Sequence, residues 1–200
     1  MSETMRRLRR DHANLSRLLT GLERQVVAME RGDRPDWDIF QRIVGYCLTY
    51  PDLRHHPLED QVLVRLRARD PEATAPFATL LAEHRELSAS LRQFAAATEQ
   101  VLQDATLRRD WFVGLARKFL EAQRDHIRRE DSEFFPAAER MLGTADWADL
   151  DKSASSLPGD PLFDRPTNRQ FLALLKDSKA WEAAEQRSSG SDRPRSEHPS

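Results

Sequence analysis

Along four stretches of this chain, residues that belong in a protein interior recur in alternating steps of three and four. That rhythm constrains the fold more than any other feature, because it is the spacing of one buried helix face in a bundle. The first face reads Leu8, His12, Leu15, Leu19, Leu22, Val26, Met29. The second reads Phe40, Val44, Cys47, Pro51, His55, Glu59, Val62, Leu66, and the third Phe77, Leu80, His84, Leu87, Leu91, Phe94, Thr98, Val101. The fourth reads Phe112, Leu115, Phe119, Ala122, His126, Glu130, Phe134. Only 7 glycines are present in 200 residues and Leu, Ala, Arg and Glu dominate, so the fold class is all-α.

Breaks at residues 31–38, 69–76, 103–110 and 157–166 combine Pro, Gly or Asp in the manner of caps and turns, and they delimit four long segments and a short one. The expected organisation is a bundle over residues 1–150, an extension with a short helix over 151–186, and a polar, disordered tail over 187–200 that carries His198. Lys and Arg number 31 against 33 Asp and Glu, a net charge of −2 that favours neither nucleic acid nor an acidic membrane as partner. The lone cysteine, Cys47, has no internal disulfide partner, which suits a reducing compartment. No apolar run reaches the roughly 18 residues of a membrane helix, and the arginine-rich start has no apolar signal core. A cytoplasmic protein is expected.

The faces also contain what a core should exclude: His12, His55, Glu59, His84, His126 and Glu130 all point inward, with His56 beside them. One inward histidine is ordinarily a core imidazole hydrogen-bonded to a neighbour. Six buried polar groups on four helices are another matter, since each costs on the order of kcal/mol to desolvate and a carboxylate more. A shared cation removes that cost. His55 and Glu59, like His126 and Glu130, are four apart and so converge from one helix face. Imidazole nitrogen with carboxylate oxygen suits iron, manganese or zinc, two glutamates can bridge a pair of ions, and a single cysteine, Cys47, is too few thiolates for an iron–sulfur cluster. Pro57 disfavours helix at His56, which predicts a kink or restart there. The competing register through Leu53, His56, Asp60, Leu63 and Arg67 ends in an arginine and is the poorer seam, leaving Asp60 a weak ligand candidate. Asp11, Glu83, Asp131 and Glu133 read as a solvated rim or as an outer layer that orients imidazoles. Phe112, Phe119, Phe134 and Phe135 read as core that keeps the site dry, and Tyr46, Tyr50 and Cys47 as packing.

These residues resemble the hemerythrin-like, HHE cation-binding family across about residues 5–142. The matching elements are "RDHANL" with His12, "HHPLE" with His55 and Glu59, "AEHREL" with His84, and "DHIRREDSEFFP" with His126 and Glu130. The "HHPLED" form and the segment after it look like a bacterial HHPxED-type subgroup in which a short helix follows the bundle. The resemblance implies an up-down four-helix bundle around non-haem iron, two ions joined by an oxo or hydroxo bridge. His12, His84 and His126 are then terminal ligands, and Glu59 and Glu130 bridge both ions or cap one each. His55 completes one ion, and His56 the other. It also implies binding or sensing of O2, nitric oxide or peroxide, and exposed faces rich in Arg and Glu suit a monomer or weak homodimer. The alternative it offers is a di-iron oxidoreductase acting on peroxide or nitric oxide, or an iron donor for iron–sulfur cluster repair. Two departures point away from simple oxygen transport. Oxygen carriers place two histidines four apart on helix three, where this chain has Leu80 and Ser88 around His84. They also place the acid of helix four five residues after its histidine, not four.

Overall fold

Helix α1 (Glu3–Glu30) starts where the Ser2 hydroxyl accepts the Met5 amide at 3.1 Å, and it ends at Gly32, whose φ of 87° lets the chain reverse without a Cβ clash. The Asp36 carboxylate then caps α2 (Trp37–Thr49) by accepting the Asp38 and Ile39 amides. The computed structural model describes residues 1–103 and 108–164, together with Leu174, Lys176, Asp177 and Ala180. Its remaining elements are a wide π turn (Pro51–His55), α3 (His56–Arg69), a short 3-10 turn (Ala75–Phe77), α4 (Leu80–Leu102), α5 (Arg109–Arg129), a second π turn (Glu130–Phe134), α6 (Phe135–Met141) and α7 (Thr144–Ser156). Among the described residues there is no strand.

The expected kink at Pro57 takes a particular form. The helix does not break there; it widens for one turn, with the His56 amide donating five residues back to the Pro51 carbonyl. The second π turn repeats this, the Phe135 amide donating to the Glu130 carbonyl. In both cases a proline, Pro57 or Pro136, stands two residues beyond the wide turn. A proline inside a helix has no N–H to donate and its ring collides with the carbonyl four residues back. A turn with one extra residue takes up both problems and lets the helix run on.

α1 packs against α2 and α5, and α4 packs against the same two, which closes a ring of four helices. Every residue of the first and second predicted faces is buried. In the third and fourth, Val101 and Ala122 are half-buried, and Gln123 is buried instead. The apolar interior forms two separate clusters. One runs from Leu15 to Met29 on α1 and contains Phe40, Phe94, Phe112 and Phe119; the other joins Met5 and Leu8 to Val62, Leu80, Phe134 and Phe135. His12 lies between Leu8 and Leu15, and His84 between Leu80 and Leu91, so a polar layer separates the two clusters.

α7 spans residue 150 and packs on α1 and α3. Its carboxylate Asp151 accepts the Thr4 amide and hydroxyl, each at 2.7 Å. Buried Arg7 donates to the carbonyls of Ala154 (2.8 Å) and Pro158 (2.5 Å) and reaches the Tyr50 hydroxyl at 3.3 Å. Of the extension expected over residues 151–186, the part beyond residue 164 lies outside the described residues apart from four positions, and the tail over 187–200, with His198, lies wholly outside them. Arg7→Ala would remove the buried guanidinium that ties these carbonyls to Tyr50 and is expected to cost about 1–3 kcal/mol in urea unfolding, with faster amide exchange over residues 154–164.

Candidate metal centre

The two wide turns lie at the level of the polar layer and set its register. In an ordinary α-helix adjacent residues point about 100° apart. The π turn before α3 brings both His55 and His56 inside, 3% and 6% exposed. One turn further on, Glu59 is fully buried. α1 contributes His12, α4 His84 and α5 His126, and the second π turn opens on Glu130. All seven predicted site residues are therefore gathered in one layer.

They form two overlapping groups of four, each offering ligand atoms within 4.8 Å of one another. One is His12, His55, Glu59 and Glu130; the other is His56, Glu59, His84 and His126. Glu59 divides its two oxygens between them. Its Oε1 lies 3.4 Å from His12 Nε2 and 3.2 Å from His55 Nε2, and its Oε2 lies 3.6 Å from His84 Nε2. Glu130 also faces both ways, with Oε2 3.3 Å from His12 Nε2 and 3.2 Å from His126 Nε2, and Oε1 3.4 Å from His84 Nε2.

Whether these residues suit a cation can be judged from their unsatisfied atoms. Both Glu59 oxygens, Glu130 Oε2 and the Nε2 atoms of His12 and His126 are buried without a hydrogen bond. A fully buried carboxylate with no donor costs several kcal/mol, and convergent lone pairs a little over 3 Å apart are what a cation would satisfy. The set fits a pair of cations. His12, His55 and Glu130 would hold one, His56, His84 and His126 the other, with Glu59 between them.

A second layer of carboxylates stands behind the imidazoles. Asp131 lies 3.0 Å from His12 Nδ1, Asp11 3.3 Å from His55 Nδ1 and Asp60 2.8 Å from His84 Nδ1. Glu83 lies 3.5 Å from His126 Nδ1, and Asp52 4.0 Å from His56 Nδ1. A carboxylate at Nδ1 holds the proton on that nitrogen and leaves Nε2 free to ligate. Asp11, Glu83 and Asp131 thus stand behind imidazoles, and Glu133 is solvent-exposed. Asp60 backs His84 and belongs to neither group of four. Asp52 was not anticipated; its spacing of four before His56 is the signal that could have found it.

Beyond this layer, Tyr50 donates to Asp11 at 3.1 Å and Tyr46 to Asp160 at 2.9 Å, so both tyrosine hydroxyls are spoken for away from the centre. Phe135 stacks on His12 with ring centroids 4.9 Å apart. Cys47 is buried in the core, where burial pushes its thiol up to about 12.

In the metal-free protein, protons take the place of the cations. Burial opposes charge on every imidazole. It is outweighed at His12 by Asp131, Glu130 and Glu59, which raise that group well above its usual value. Glu59 and Asp11 likewise raise His55 to about 9, and Asp60 and Glu130 raise His84 to about 10. At His56 burial prevails with the help of His84 and holds the imidazole well below its usual range; burial also lowers His126. Burial would raise Glu59, but His55 and His12 hold its carboxyl well below the ordinary range.

The chain belongs to the hemerythrin HHE cation-binding domain family, whose model matches residues 4–138. No curated protein and no solved structure matches it. No described helix is long and apolar enough to cross a membrane.

Two outcomes follow from this geometry. Deleting Leu53, which is 58% exposed in the first wide turn, would restore an ordinary helical turn and rotate α3 by about 100° against α2. Helical circular dichroism is expected to persist while metal binding measured by elemental analysis is lost. The pH dependence has a definite sign. His55 and His84 have folded values above the unfolded value near 6.5, so the stability they contribute is full below about pH 6.5 and is lost as pH rises through about 9 and about 10. Thermal melts of metal-free protein should therefore fall between about pH 7 and pH 10, while metal affinity by titration rises over that range as protons cease to compete.

Proposed function

We propose that this protein is a non-haem di-iron protein that binds or senses a small ligand such as O2, nitric oxide or peroxide. The observation that carries the reading is the pair of four-residue groups sharing Glu59, built from five imidazoles and two carboxylates without a thiolate. That donor set suits iron, with manganese and zinc as the competing ions. Bound there, a pair of irons would supply a redox-active centre able to take a small exogenous ligand.

The remaining work falls to the chain itself. His12, His55 and Glu130 would hold one ion and His56, His84 and His126 the other, with Glu59 shared, and four protein donors to each ion support positions left open to a small ligand. Asp131, Asp11 and Asp60 orient three of the imidazoles by holding their Nδ1 protons, and Glu83 stands 3.5 Å from the Nδ1 of a fourth, His126. Phe135 and the two apolar clusters exclude water from the layer between them. The ring of α1, α2 with α3, α4, and α5 with α6 supports an up-down four-helix arrangement, and "HHPLED" supports the HHPxED-type subgroup. A cytoplasmic monomer suits the balanced, charged surface.

Elemental analysis of untagged protein expressed with iron, combined with optical spectra before and after azide or peroxide, tests the reading. About two irons per chain and a spectrum that shifts with added ligand are expected. One zinc per chain with no response to azide would remove it. Steady consumption of peroxide or nitric oxide with a reductant present would instead identify an oxidoreductase.

A further inference from the structure

The seven inward groups are not equally sealed. Glu59 is 0% exposed, Glu130 1%, His12 2% and His55 3%, whereas His84 is 5% and His56 and His126 are each 6% exposed. The difference has a structural source. His56 and His84 form the inner wall of a surface pocket of about 560 Å³ between α3 and α4, which Asp52, Asp60, Ser88 and Leu81 also line. None of His12, His55, Glu59 and Glu130 lines it.

Two carboxylates in this pocket stand immediately outward of two imidazoles. Asp60, with its side chain 38% exposed, is 2.8 Å from His84 Nδ1. Asp52 is held in place by the Ser88 hydroxyl, which donates to it, and by Arg92 at 3.9 Å. Its Oδ1 lies 4.0 Å from His56 Nδ1, too far for a hydrogen bond, and that nitrogen is buried with no hydrogen-bond partner. The pocket therefore leads from carboxylates at solvent to an unpaired imidazole nitrogen inside. A second pocket, between α4 and α5, is of similar size at about 550 Å³ and also ends at a buried imidazole nitrogen without a hydrogen bond, His126 Nδ1, but it reaches one imidazole where the first reaches two. The acid next to that histidine, Glu83, is already taken by Arg129 at 2.8 Å and Thr79 at 2.6 Å.

The geometry points to the α3–α4 pocket as the port through which the divalent cation of the three-histidine group enters and leaves, with Asp52 and Asp60 as the carboxylates that pass it inward, while the His12 and His55 cation is occluded beneath. This inference rests on the reading that both groups hold cations and does not depend on their being iron. Carboxylates suit the task because they replace part of an ion's hydration shell before imidazoles complete the exchange. It gives the two ions different kinetics at equal stoichiometry.

The test is release of metal to an excess of coloured chelator, followed by stopped flow, from full-length protein loaded with ferrous iron or with zinc. Wild-type protein is expected to release its ions in two phases of equal amplitude. Ser88→Phe, which fills the pocket from α4, is expected to slow the fast phase about tenfold without changing the stoichiometry. Leu81→Trp narrows the same pocket from another position and serves if Ser88→Phe does not fold by circular dichroism. Ala122→Phe, in the α4–α5 pocket, should leave the fast phase within about twofold. Release of both ions in a single phase from wild type overturns the port. So does a fast phase slowed by Ala122→Phe and untouched by the α3–α4 variants. Failure of wild type to bind any metal overturns the cation reading beneath it, which is a separate result.

Discussion

The fully buried Glu59 carboxylate is the constraint around which the rest of this structure is organised. An apolar core could have run unbroken from Met5 to Met29; instead a layer of five imidazoles and two carboxylates divides it. Such a layer is unfavourable unless its charges find partners, and the partners come from every side of the bundle. Without a cation, protons held on His12, His55 and His84 balance Glu59 and Glu130. With cations bound, the same lone pairs become ligands. In either state the layer is neutralised by positive charge at its centre, which couples folding to pH and to metal.

The backbone meets this demand with two wide turns. Adjacent histidines on a regular helix point about 100° apart, so a regular turn would not aim both at one layer as this one does. The extra residue in Pro51–His55 brings them both inside and assigns them to different groups, His55 beside His12 and His56 beside His84 and His126. The matching turn at Glu130–Phe134 lies at the same level. In each, a proline downstream supplies a local reason for the widening, so a feature that would break an ordinary helix here positions ligands.

Support for the centre extends outward in layers of decreasing burial. Glu59 meets His55, His55 faces Asp11, Asp11 accepts from Tyr50, and Tyr50 meets Arg7, whose guanidinium holds the carbonyls of Ala154 and Pro158. A continuous polar path thus joins the buried layer to the segment following α7. On the opposite side the path is short: His56 and His84 abut Asp52 and Asp60 in an open pocket. One face of the centre is tied to the chain's own scaffold and the other is turned toward solvent.

The all-helical class, the four inward faces and the identity of six inward polar residues were legible from residue order alone. Helix periodicity fixes which residues share a side, and a histidine or glutamate in a leucine row stands out whatever the rest of the chain does. Other features depended on distances between helices, which spacing along one helix does not encode. The inward turn of His56, the division of the set into two groups sharing Glu59, and the backing of His84 by Asp60 and of His56 by Asp52 all required the wide turn and the packing of α3 against α4. Glu133 shows the converse, an acid placed near the site by sequence and turned to solvent by the second wide turn. Residue order thus determined which atoms are available to a cation. Tertiary structure decided how they are grouped and which group meets solvent, because grouping is set by helix packing and by the extra residue in each π turn.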